Sequence, residues 1–160
     1  MAVFTRNSET GALSFEKIHN NDNAGVVASI TISPDGKSVD ADASDGDAIV
    51  VYNRNPDTGE LTFVETQKYQ EANSSLGQRS IAVSANSKYV TVTEKDSIAV
   101  FSRDDKTGAL SLLQRKEKGD DAVAGLEEVE AIAISEDGKH TYAVLAKIHW
   151  QYLVAMLMEF

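Results

Sequence analysis

A chain of 160 residues with 15 Lys and Arg against 25 Asp and Glu carries a formal net charge of −10. That length suits one sizeable core and is short for two full domains. The acidity excludes binding of bulk nucleic acid, which needs clustered basic side chains to displace counterions. The lack of cysteine excludes disulfide scaffolds, thiolate metal sites and thiol nucleophiles.

The first predicted element is Ala2-Val3-Phe4-Thr5-Arg6, followed by a turn through Thr10-Gly11 and a second strand over residues 13–18. No basic segment precedes an apolar run here, so the N-terminal residues do not read as a secretion signal. Residues 29–33, Ser-Ile-Thr-Ile-Ser, alternate at period 2 as a half-buried strand does. Asp35-Gly36 is a strong hairpin signal and leads into a strand over 38–43. A strand at 49–54, the turn Asn55-Pro56-Asp57-Thr58-Gly59 and a strand at 61–66 complete the set.

The pattern then returns. Ser29-Ile30-Thr31-Ile32-Ser33 recurs as Ser80-Ile81-Ala82-Val83-Ser84 and as Ala131-Ile132-Ala133-Ile134-Ser135, each time 51 residues on. Ala2-Val3-Phe4-Thr5-Arg6 recurs as Val50-Val51-Tyr52-Asn53-Arg54 and as Ala99-Val100-Phe101-Ser102-Arg103. Four short strands repeat at this period, A over residues 29–33, B over 38–43, C over 49–54 and D over 61–66, with residues 2–6 and 13–18 as further copies of C and D. That is the signature of β-propeller blades. A blade buries its two faces only between neighbours. The predicted fold is therefore all-β, built of four-stranded antiparallel blades in an incomplete propeller. Residues 1–145 hold half a blade, two full blades and half a blade, and residues 146–160 form an apolar tail.

Twelve of the sixteen residues from 145 to 160 are apolar, but Lys147 and His149 interrupt them. The stretch is also shorter than the about 20 residues of a bilayer span, so no membrane span is expected. By register, residues 150–154 fall where a strand C belongs. A distorted strand, an altered reading frame and a helical cap are all compatible with that composition.

Lys88-Tyr89-Val90-Thr91-Val92, together with Ser33-Pro34-Asp35-Gly36-Lys37, resembles the YVTN-type bacterial propeller repeat. The run from Ala99 to Leu110, with its Ser-Arg-Asp and Thr-Gly-Ala-Leu, is similar to the lactonase-like seven-bladed propellers. That group includes bacterial 6-phosphogluconolactonases. The resemblance spans roughly residues 2 to 144 and implies the fold. Its motifs are turns and strands, so it transfers no catalytic residue. With about three blades where the family has seven, it implies a segment of a larger bacterial surface or exported protein.

In a propeller the A strands line a central channel, and the B–C and D–A connections share the face that usually carries ligands. Arg79 directly precedes a strand A and is a candidate for binding an anionic ligand, with Glu71 in the same connection. Glu71, Glu127, Glu128 and Glu130 are candidate general bases. In the acidic run over residues 40–47, Asp42, Asp45 and Asp47 are candidate ligands for a hard cation such as calcium. Measured against the EF-hand loop, Asp40, Asp42 and Ser44 fit the first ligand positions. Asp45 then stands where Gly is needed and Val51 where Glu is needed. A solvated acidic loop is the preferred reading.

His19, His140 and His149 show no metal-ligand spacing. No Gly-x-Ser-x-Gly, Walker or dinucleotide motif occurs, and no cofactor is expected. Two function classes compete. The first is a non-enzymatic binding or scaffold segment with a protein or carbohydrate partner. The alternative is a lactonase-like hydrolase of the 6-phosphogluconolactonase type, or an inactive remnant of one; a pseudogene-like product is a third reading. The exposed blade edges of an open arc predict self-association, with two arcs closing a six-bladed ring. A second arrangement pairs residues 131–145 with residues 2–18 of the same chain.

Overall fold

Local hydrogen bonds in the turns set the hairpins. Ser33 Oγ donates to Asp35 Oδ1 at 2.6 Å and accepts from the Ser38 amide at 2.9 Å. Ser84 does the same with Asn86 and Tyr89, and Ser135 with Asp137 and His140. The left-handed residue of each turn is Gly36 (φ 73°), Ser87 (φ 62°) or Gly138 (φ 71°). Only one residue per turn has positive φ, so these are clasped loops of several residues rather than two-residue hairpins. The C–D turns use a second device. Asn7, Asn55 and Asp104 each accept from the amides two and three residues ahead.

The computed structural model describes residues 1–20, 25–43, 48–68, 80–94, 96–120, 126, 129–145 and 155–157. Strands β1 (Ala2–Arg6) and β2 (Leu13–Ile18) form a two-stranded half-blade. The first full blade runs in sequence order through β3 (Val27–Ile32), β4 (Ser38–Ala43), β5 (Ala48–Arg54) and β6 (Leu61–Lys68). The second repeats it with β7 (Ile81–Val83), β8 (Tyr89–Glu94), β9 (Ser97–Arg103) and β10 (Leu110–Glu117). The third blade holds β11 (Val129–Ile134), β12 (His140–Leu145) and β13 (Ala155–Leu157). Every pairing is antiparallel.

A short strand joins β12 at the C-terminal end. The strand in position C of the third blade is β13, downstream of the expected residues 150–154, which lie outside the described residues. His140 stands opposite Leu157, Thr141 opposite Met156 and Tyr142 opposite Ala155. The intrachain closure between residues 131–145 and 2–18 is not adopted. β13 occupies the edge of β12 that β1 would need, and β1 pairs with β2 among the described residues.

The core lies between blades. Val39, Ala41 and Ala43 alternate toward the half-blade, where Val50, Tyr52 and Met1 join them. On the opposite face, Ile49 and Val51 pack against Ile81, Val90, Val92 and Phe101 of the second blade. Ile98, Leu126, Val129 and Ala143 fill the next interface. The two full blades are also hydrogen-bonded together. Asp35 N donates to Ser87 Oγ at 3.1 Å, and Leu110 N donates to Glu65 Oε1 at 2.6 Å. Bulges recur in equivalent places, between Val27 and Ser29 in β3 and between Val129 and Ala131 in β11. Each adds a residue to strand A that the ladder does not pair.

Candidate functional site

Successive A strands lie side by side, β3 against β7 and β7 against β11, and form the inner wall of the arc. At the bulge, Ala28 of β3 and Glu130 of β11 are pushed out of the ladder and are exposed. Arg79 holds the equivalent position in the second repeat, one residue before Ser80. Glu130 is thus an exposed carboxylate at the entrance of an inner strand. Arg79, Glu71, Glu127 and Glu128 lie outside the described residues.

The acidic run behaves differently from the expected solvated loop. Asp40 and Asp42 belong to β4, and both are fully buried. The reason is coverage: β4 has a blade on each side, so its polar alternates face the second blade instead of water. Arg103 of β9 donates to Asp40 Oδ2 at 2.5 Å and to the Gly108 carbonyl at 3.1 Å. Burial pushes the Asp40 carboxyl above its ordinary pKa, and the Arg103 guanidinium opposes that rise. Asp45 and Asp47 lie outside the described residues. Among the described residues, no group of three or more His, Asp and Glu is placed to hold a metal ion.

A further polar cluster escaped the sequence reading. Glu94, nearly buried at the end of β8, accepts from Ser97 Oγ at 2.8 Å and from Arg115 Nη2 at 2.6 Å. Arg115 also pairs through Nε with Glu117 Oε1 at 2.8 Å. The three residues tie β8, β9 and β10 together where the B–C connection begins. The available signal was positional. Glu94 stands where the first blade has Ala43 and the third has Leu145. A carboxylate held by a hydroxyl and a guanidinium fixes the mouth of the loop in place.

The described histidines do structural work. The His19 carbonyl accepts from the N-terminal amine at 2.7 Å, and its ring meets Tyr52 edge-on at 5.7 Å. His140 lies beside the A–B turn of the third blade, its amide bonded to Ser135. His149 lies outside the described residues. No helix among the described residues is long and apolar enough to cross a membrane.

No curated protein matches the sequence. Solved structures do resemble it. One is a protein of Bacteroides uniformis provisionally named a 6-phosphogluconolactonase, with a TM-score of 0.70 at 16% identity over 90% of this chain. A Bacteroides fragilis protein with the same provisional name gives 0.64 at 18% identity over 89% of this chain. The periplasmic gluconolactonase of Pseudomonas aeruginosa gives 0.57 at 17% identity over 71%. The chain spans 40%, 40% and 31% of those proteins. At such identities the likeness shows the propeller fold, not the reaction. Residues 1–126 match the family described as lactonase, 7-bladed beta-propeller. By that match over most of its length, the chain belongs to the lactonase family of seven-bladed β-propellers.

Proposed function

We propose that this chain supplies the channel-side wall of a sugar-lactone hydrolase acting on a small anionic aldonolactone. The family match over residues 1–126 carries this reading. It favours the hydrolase over the non-enzymatic scaffold, and two of the similar structures bear the provisional name 6-phosphogluconolactonase. Within the chain, the reading rests on Glu130, exposed at the bulge of β11, and on Arg79, its equivalent by sequence in the preceding repeat.

The chemistry asked of these side chains is modest. The Glu130 carboxylate takes a proton from water as the water oxygen attacks the lactone carbonyl carbon. The tetrahedral intermediate expels the ring oxygen, which recovers that proton from Glu130, and a hydroxy acid leaves. Arg79 pairs with the anionic group of the substrate and holds the carbonyl in place. Acid release from 6-phosphogluconolactone, followed in a pH-stat, tests this directly. The chain is expected to exceed the spontaneous rate. Glu130→Gln should then remove about a hundredfold or more of the enhancement, and Arg79→Met should raise KM more than it lowers kcat. A rate equal to the spontaneous one would return the chain to the binding-segment reading.

A further inference from the structure

A cleft of 460 Å³ opens between the two full blades, at the end where the A–B and C–D turns lie. Both of its walls belong to complete four-stranded sheets. Lys37, after the A–B turn, and Asn53, at the end of β5, stand on the first-blade side. Asn86 of the other A–B turn and the C–D turn of the second blade face them. Asn53 Nδ2 donates to the Thr107 carbonyl at 3.4 Å. Gly108 (φ 79°) admits the Asn53 side chain, since a Cβ there would lie 2.7 Å from Oδ1. That contact holds the second C–D turn, and Lys106 with it, against the first blade.

The repeat shows what sets this junction apart. The lysine after each A–B turn recurs as Lys37, Lys88 and Lys139. In the second blade it is paired within its own blade, Lys88 Nζ lying 3.4 Å from Asp105 Oδ2. In the first blade Pro56 stands in place of Asp105, and Lys106 stands where the other C–D turns carry Glu9 and Asp57. Among the described residues, neither Lys37 nor Lys106 enters an ion pair. Two departures from the repeat thus free two lysines at one cleft. The nearby carboxylates are engaged by their own turns. Ser33 Oγ and the Lys37 amide donate to Asp35 Oδ1, at 2.6 and 3.1 Å. The Lys106 amide and the Thr107 amide and hydroxyl donate to Asp104 Oδ1, at 3.0, 2.8 and 2.9 Å. Arg54 donates to the Gly36 carbonyl at 2.9 Å. Arg103 also lines the cleft; its side chain is 6% exposed, and its buried Nε has no hydrogen-bond partner. A buried donor left unpaired favours a ligand that accepts.

We propose that this cleft binds a phosphate group, free or as a monoester, between Lys37 of the first blade and Lys106 of the second. The two ammonium groups supply charge from facing walls, and Arg103 Nε supplies a hydrogen bond. Phosphate matches this set because it carries up to two negative charges and several strong acceptor oxygens, so one anion answers all three donors. The turns that build the cleft lie at the opposite end of the blades from Glu130. The site therefore stands independently of the hydrolase reading.

Inorganic phosphate is titrated into the native chain at constant ionic strength, with backbone amide shifts followed by NMR. The expected result is saturable shifts of the Asn86, Lys106 and Thr107 amides, with a Kd of about 1 mM or tighter. Lys37→Gln and Lys106→Asp, both at exposed positions, should keep the circular dichroism spectrum and each weaken binding at least tenfold. Lys139→Gln removes the same charge at the equivalent place in the third blade and should leave the Kd unchanged. Tighter binding of glucose 6-phosphate than of phosphate would support a monoester as the occupant, and the reverse order the free ion. Shifts that never saturate would overturn the proposal. So would shifts that chloride reproduces, or that Lys139→Gln weakens as much as Lys37→Gln does.

Discussion

Arg103 on β9 reaches across the blade interface to Asp40 on β4, 63 residues earlier, and neither side chain is appreciably exposed. Desolvating both charges costs energy that their attraction and hydrogen bonding offset. The pair therefore specifies how the two full blades sit together more than it adds net stability.

Removing one partner should be far worse than removing both. Arg103→Met leaves Asp40 buried without its guanidinium and should cost about 3–5 kcal/mol at neutral pH, read from urea midpoints. Asp40→Leu combined with Arg103→Met should recover most of that loss. The pH dependence has a definite sign. Burial raises the Asp40 carboxyl above its unfolded value, and losing Arg103 raises it further. The folded state then binds the extra proton, so stability is greatest below the unfolded pKa and falls as pH rises through the folded one. The Arg103→Met penalty should therefore be smaller at pH 4 than at pH 7. An equal penalty at both would show that Asp40 is not the group left exposed to the change.

Equivalent aromatic positions should differ in weight according to what covers them. Phe101 is fully buried between the full blades, while Phe4 in the half-blade is 51% exposed. Phe101→Ala should cost about 3–5 kcal/mol through lost transfer energy and the cavity left behind. Phe4→Ala forfeits chiefly its edge-on contact with Phe15, at 5.8 Å, and should cost about 0.5–1.5 kcal/mol in dilute protein. Thermal and chemical denaturation of the two variants side by side checks the ranking.

The turn carboxylates should govern the acid limb of stability. The Thr107 amide, then the Thr107 hydroxyl and the Lys106 amide, hold Asp104 below its ordinary pKa. Ser135 Oγ and the Lys139 amide do the same for Asp137. Both groups contribute stability above the unfolded pKa, and that contribution is lost as pH falls through the folded values. Asp104→Asn with Asp137→Asn keeps the acceptors and removes the titration. A denaturation series from pH 2 to pH 6 should show a flatter acid limb in the double variant than in the native chain.

The strands and turns were legible in the sequence because their causes are local. Period-2 alternation needs only neighbouring residues, and the Ser33, Asn55 and Asp104 clasps span two to five positions. Repetition then turned local strands into blades, since a four-stranded unit has no buried face without another like it. The candidate site was legible in part. Glu130 was named from its place before a strand A, while the Glu94, Ser97 and Arg115 cluster was missed because it joins three strands of one blade.

What tertiary structure alone decided is which side of each strand meets protein and which meets water. Asp40 and Asp42 read as a solvated acidic run, yet the adjoining blade buries them and supplies Arg103 from far along the chain. Ile30 and Ile81 have the same identity and repeat position, yet one is exposed and the other is core. Period 2 assigns a residue to a face, but the energy of that face depends on what is packed against it. In a propeller arc that neighbour is another blade, tens of residues away, and at the two open ends no described strand of this chain supplies it.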